Sequence, residues 1–330
     1  MALSRTPLRL VLVLACHLFL LAHDAAAEPP LALPARADAD GLTVRGEAGL
    51  EGLVRQVAQS APHILAGIRA DLDRLPQPAH VEIRLVKRSR DLSRAAPPGH
   101  RAPSWAAGVA YAEAGVVVVA TRREASPINV LAVVAHELAH MALDAALGDR
   151  APRWLHEGFA YLHSSDWSFD RLRTLTGMAW TGNVIPIHEL DYRFPEREHE
   201  ASRAYAESYD FVVFLARRGR YADHEDDGNR WAFRDFLAEI SRGMDVHGAA
   251  REAYNATLDE LFEEWYQSLR QRYLLLPVGM VALGVWVLAG ILLVFAYLRK
   301  RRQNRLKLAL WEAEEAEMAA ASSRIKESDS

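Results

Sequence analysis

Apolar residues recur at helical spacing across 50–75, at Leu53, Val57, Ile64, Ile68 and Leu72, and then alternate with polar ones over 81–86. The pattern predicts a helix followed by a strand. Residues 88–103 are basic and Pro-rich and read as a loop, while 106–121 form a second extended region ending in the run Val116 to Val119. From Pro127 onward the period is mostly helical, broken around 166–195 by Gly, Pro and Asn. Helices are expected over 201–217, 231–240 and 258–273, the last carrying the apolar stripe Leu261, Phe262, Trp265 and Leu269. Residues 28–46 show no period and read as a linker or an edge strand. The expected class is α+β, a small mixed sheet followed by a mainly helical domain, without internal repeats.

Two longer apolar segments stand outside this order. The first follows Arg5 and Arg9, runs from Leu10 to Ala22 and closes on Ala25-Ala26-Ala27. It has the charged, apolar and small-residue regions of a secretory signal peptide, ending at residue 27. The second, 274–298, holds no charged residue and carries Trp286 and Tyr297, enough to cross a bilayer with some tilt. Arg299, Lys300, Arg301, Arg302, Arg305 and Lys307 follow at once, and such a cluster marks the cytoplasmic side of a span. The expected organisation is a signal peptide (1–27), a linker (28–46), an extracytoplasmic domain (47–273), a transmembrane helix (274–298) and a cytoplasmic tail (299–330).

The composition, 50% hydrophobic and 25% charged, is that of a folded protein. The net charge is −4; the ends carry +1 (1–27) and +2 (299–330), which leaves −7 for 28–298. An acidic outer domain does not attract polyanions, so nucleic acid is excluded as an expected partner. The single cysteine, Cys16, lies in the expected signal peptide. Any metal in the mature chain must then be held by His, Asp or Glu.

Such a constellation exists. His136-Glu137-Leu138-Ala139-His140 lies in the helix expected from Pro127, and residues four apart project from one face, so both imidazoles can close on one ion. Glu137 stands beside that ion, where it can take a proton from an activated water. A chance match to this pattern in such a chain is on the order of 4 in 100, so context decides. The surrounding helix is almost wholly apolar, and burying His, Glu and His there is costly without a cation. A third ligand is expected from Trp154-Leu155-His156-Glu157-Gly158-Phe159-Ala160, beyond a turn at 148–152 that makes the two helices neighbours. His156 and His163 lie about 100° and 240° around that helix from Glu157, so one of the three faces the site, and Glu157 is the expected one. Three N/O ligands with an open position make zinc the default ion.

The two motifs resemble the glutamate-zincin metallopeptidases, with wording similar to the aminopeptidase-N-like branch. From about residue 80 to 270 the chain resembles the small peptidase MA-like members. The resemblance implies a zincin-type catalytic domain with zinc on His136, His140 and Glu157, Glu137 as general base, and a tyrosine on a downstream helix as hydrogen-bond donor to the tetrahedral intermediate. Tyr205 fits that place better than Tyr209, four residues on. The aminopeptidase branch binds the substrate amine with a Glu in a Gly-Ala-Met-Glu-Asn strand. Here Gly108-Val109-Ala110-Tyr111-Ala112 carries no carboxylate, and Glu113 is a weak substitute.

The expected function is a membrane-anchored zinc metallopeptidase acting on extracytoplasmic peptides or proteins, in a bacterial inner membrane or a plasma membrane. The alternatives are a non-catalytic zinc-containing binding or signalling module of the cell envelope, a cell-wall amidase, and an intramembrane protease using the apolar helix around His136. Trp167, Phe169, Trp180 and Tyr192 are expected to pack a long loop or to wall the pocket.

Overall fold

A computed structural model describes residues 30–103, 106–124, 126–164, 169–192, 198–221 and 232–328. The expected signal peptide and Trp167 lie outside these residues. The chain divides into two compact units, Met1–Met178 with Asn183–Tyr266, and Ala179–Gly182 with Gln267–Ser330.

The first unit opens on a hairpin, β1 (Ala35–Ala39) and β2 (Leu42–Gly46), paired antiparallel with Ala39 opposite Leu42. Asp40 and Gly41 form its two-residue turn with φ of 38° and 80°, the positive values that let a tight turn follow strand twist. Of the two readings for 28–46, the edge strand is the one found, and β2 lies inside the sheet. Helix α1 (Glu51–Asp71) leads to β3 (Val81–Val86), parallel to β2. Its buried face is Val54, Val57, Ala61, Leu65 and Ile68, while Leu53 and Ile64 are only half-buried. Val57, Ile68 and Leu72 of the expected stripe are buried, and Val54 and Leu65 take the places expected for Leu53 and Ile64. A short helix α2 (Leu92–Ala95) sits in the basic loop. Then β4 (Gly108–Tyr111) runs antiparallel to β5 (Val116–Ala120), which is parallel to β3. The sheet order is β1-β2-β3-β5-β4. Every residue of β5 is buried, since Val116, Val118 and Ala120 pack with Leu92, Ala95 and Ala106 while the opposite face meets helices. A strand covered on both faces reads as a continuous apolar run.

A two-residue ribbon, β6 (Arg122–Arg123) with β7 (Ser126–Pro127), precedes α3 (Val130–Leu147). The Asn129 side chain caps α3 by accepting the Ala132 N–H at 3.3 Å, and Gly148 ends it with φ 62°. Next come α4 (Arg153–Ser164), α5 (Phe169–Thr181), α6 (Ile187–Tyr192), α7 (Glu198–Tyr221), α8 (Ala232–Ser241), α9 (Val246–Tyr254) and α10 (Leu258–Ser328). The stretch 166–195, expected to be irregular, therefore carries two helices. Phe169 and Trp180 are exposed there, at 67% and 58%, and do not pack a loop.

Helix α4 lies between α3 and α7. Gly158 makes this possible: a Cβ there would collide with the Ser208 carbonyl and the Val212 side chain. Trp154, Phe211 and Trp265 fill the adjoining core, with ring centroids 5.2 and 5.8 Å apart. Trp265 Nε1–H donates to the buried Asp210 Oδ2 at 2.8 Å, so neither polar group is left unmet.

Glu207 on α7 is fully buried and accepts the Ile185 N–H at 3.0 Å. Burial pushes its carboxyl up to about 8, opposed by that N–H and by Arg203. The folded chain therefore holds a proton that the unfolded chain releases near the ordinary value of about 4.3. The resulting stability is full below that value and is lost as pH rises through 8. Glu207→Gln should match the wild type at pH 5 and melt about 5–10 °C higher at pH 8, given a gap of about 3 kcal/mol. Thermal melts at both pH values check this, and parallel curves would contradict it.

In the second unit, Leu283–Arg305 is long and apolar enough to cross a membrane, overlapping the span expected at 274–298. Its large side chains are open, with Trp286 and Phe295 at 76% and 73% exposure. Val130–Arg150 passes the same length and composition test, yet 61% of it is buried. It is the core helix of the first unit, which removes the basis of the intramembrane alternative.

Candidate metal centre

One face of α3 presents His136 and His140, whose Nε2 atoms lie 3.1 Å apart. Glu157, on the first turns of α4, brings Oε2 to 3.8 Å from His136 Nε2 and 3.7 Å from His140 Nε2. All three donor atoms fall within 4.8 Å of one another. Ligands of one tetrahedral ion at 2.0–2.1 Å stand about 3.3 Å apart, so the spacing suits a single small cation.

The electrostatics agree. Burial, then the Arg171 charge, lowers His136 to about 4. His140 falls well below its ordinary value through burial, then through His136, His156 and Arg153. Both rings are neutral at neutral pH, with lone pairs free to coordinate, so their contacts with Glu157 are not ion pairs. Burial raises Glu157 to about 7 against the pull of Arg153. Glu137 rises to about 8 through burial and then the Glu157 charge, opposed by the Ala110 N–H. Two carboxyls and two imidazoles are gathered out of water with Arg153 beside only one of the carboxyls, and a divalent cation held among the donors would offset the cost of burying them. The residues fit a metal.

Glu137 is 7% exposed and held against β4. The Ala120 N–H donates to the Ala107 carbonyl at 2.9 Å, and Val109 stands opposite Val118. By antiparallel alternation, Gly108 and Ala110 turn their backbone groups to the outer edge, where the Ala110 N–H meets Glu137. A Cβ on Gly108 would lie 2.7 Å from Val133 Cγ1 and 2.9 Å from both Glu137 Cγ and Oε1. Gly108→Ala should displace Glu137 and lower kcat about 10–100-fold with metal content unchanged. Steady-state kinetics beside metal analysis check this.

A cavity of about 750 Å³ opens over the centre, lined by β4, by Arg123 and 126–129, by α3 and α4, and by Tyr205 of α7. Burial, then the Glu157 charge, raises the Tyr205 phenol, while a side-chain hydrogen bond from Arg153 opposes this. Tyr209 instead packs on Arg171, whose guanidinium carbon lies 4.3 Å from that ring and 4.6 Å from Tyr161. Tyr161 in turn sets its ring edge-on to His136, centroids 4.6 Å apart. His156 stacks beside His140 at 6.0 Å. His163 points elsewhere, with Nε2 3.4 Å from Asp71 Oδ2 on α1. Glu113 is exposed on the turn after β4 and does not line the cavity.

The sequence reading missed Gly108, Arg153 and Tyr161. Arg153 and Glu157 stand at i,i+4 spacing, which is a visible signal. The approach of Gly108 to Glu137 is long-range and leaves no local trace.

The model of the peptidase MA superfamily matches residues 75–271, more than half of the chain. The chain belongs to this superfamily, whose activity is peptide hydrolysis and whose members are typically metal-dependent. A search of the curated proteins finds no match.

Proposed function

We propose that this protein is a membrane-anchored zinc metallopeptidase that cleaves peptides or proteins outside the cytoplasm. The reading rests on one observation above all: the donors of His136, His140 and Glu157 converge within 4.8 Å, with the Glu137 carboxylate in the same cavity. When bound there, zinc would acidify water and polarise the scissile carbonyl. Glu137, steadied by the Ala110 N–H, takes the proton of the attacking water and returns it to the leaving amine. Tyr205 donates a hydrogen bond from its hydroxyl to the oxygen that gains charge in the transition state. The outer edge of β4 pairs with an extended substrate backbone, which aligns the scissile bond along the centre.

The signal-peptide pattern, the apolar helix and the basic residues after it support a single-pass topology. The peptidase unit faces outward and the tail inward, in a bacterial inner membrane or a plasma membrane.

The test is cleavage of unfolded casein by the detergent-solubilised full chain. Cleavage should stop with a chelator and return with added zinc. A zinc-loaded chain that cleaves no unfolded protein would contradict this reading and favour the non-catalytic binding module.

A further inference from the structure

Arg153 opens α4 directly after Pro152 and stands one helical turn before Glu157. Its Nε lies 3.8 Å from Glu157 Oε1, whereas Oε2 of the same carboxylate faces the two imidazoles at 3.7 and 3.8 Å. The two oxygens are thus divided, one toward the donor set and one toward the guanidinium. The same guanidinium donates to the Tyr205 hydroxyl, so a single side chain bridges α4 and α7. Arg171, a second cation near the centre, is engaged with the rings of Tyr161 and Tyr209.

From this arrangement we infer that Arg153 is a positioning residue that couples the third metal donor, Glu157, to the oxyanion donor, Tyr205. The inference rests on the role of Tyr205 in the proposed reaction. A guanidinium offers five N–H groups in a rigid fork, so it can hold a carboxylate and a hydroxyl together. A hydroxyl that accepts from a cation has its own proton left for another acceptor, and Tyr205 lines the cavity; the charge-assisted bond makes that proton a stronger donor. The Arg153 charge 3.8 Å from Oε1 favours the orientation in which Oε2 meets the imidazoles, as partners of metal-binding carboxylates do elsewhere. The plain alternative is an i,i+4 surface pair, since the Arg153 side chain is 53% exposed. Such a pair adds a few tenths of a kcal/mol to helix stability and touches neither metal affinity nor kcat.

The experiment compares the full chain with Arg153→Ala, Arg153→Lys, Tyr205→Phe and the Arg153→Ala/Tyr205→Phe double variant. Zinc affinity is read by chelator competition, and kcat and KM are read on a peptide at saturating zinc. Arg153→Ala should weaken zinc about 10–100-fold. It should also lower kcat about 10–100-fold while KM stays within about threefold. Arg153→Lys, which keeps the charge without the fork, should recover only part of either loss and guards against misfolding of the alanine variant. The double variant should be little slower than Tyr205→Phe alone. Wild-type zinc affinity and kcat in Arg153→Ala, or losses that multiply in the double variant, would overturn the coupling. A Tyr205→Phe loss without an Arg153→Ala loss overturns the coupling alone. Full kcat in Tyr205→Phe overturns the oxyanion role itself, and the coupling with it.

Discussion

Glu137→Gln should cut peptidase turnover about 10³-fold or more and leave the metal in place. Glutamine fills the same space and still accepts the Ala110 N–H through its amide oxygen, but it cannot take a proton from water. General acid–base catalysis contributes about 10²–10⁴-fold, and one carboxylate here serves both halves of the transfer. Glu137 is not among the converging donors, His136, His140 and Glu157, so zinc affinity should change little. Single-turnover kinetics with zinc analysis of the same sample separate the two effects. Turnover within tenfold of the wild type would remove Glu137 from the chemistry.

Gly158→Val should be the most damaging substitution to the fold. Even a Cβ at this position meets the backbone carbonyl of Ser208 and the side chain of Val212, and neither is the free end of a flexible chain. Helices α4 and α7 would have to separate, opening the core around Trp154 and Phe211, both fully buried. Overpacking of this kind costs about 1–3 kcal/mol for an added methylene in a tight core. A branched side chain against backbone should exceed 4 kcal/mol, enough to unfold a marginal domain. The same separation would part Glu157 from Tyr205, because the residue before Gly158 is the metal donor. Thermal melts and protease resistance of the variant measure the cost; a melting temperature within a few degrees of the wild type would refute it.

The parts of this protein that were legible from sequence are those whose signal is local. The His136 and His140 spacing, the apolar α3 and the return of Glu157 all follow from helical periodicity and a short turn. The hairpin before α1 was equally local, since Asp40-Gly41 is a two-residue turn pair and Ala35-Arg36-Ala37-Asp38-Ala39 and Leu42-Thr43-Val44-Arg45 both alternate, but the apolar positions of β1 are only alanines and give a weak strand signal. Helices α5 and α6 were hidden because Gly177, Gly182 and Pro186 read as breaks. Pro186 in fact starts a helix, its carbonyl accepting the Glu189 N–H at 2.8 Å. On α1 the stripe through Val57 and Ile68 is as expected, while Val54 and Leu65 are buried where Leu53 and Ile64 were expected, a choice between adjacent apolar residues that periodicity alone does not make. Gly108, Arg153 and Tyr161 belong to the site through contacts between elements far apart in sequence, which no window of periodicity contains.

The central claim is that one ion sits on His136, His140 and Glu157. Elemental analysis of the purified full chain after equilibration with zinc and gel filtration, beside Glu157→Ala, tests it most directly. One zinc per wild-type chain is expected, and less than about a tenth of that in the variant, since a catalytic site needs three protein ligands. Equal zinc in both proteins would contradict it.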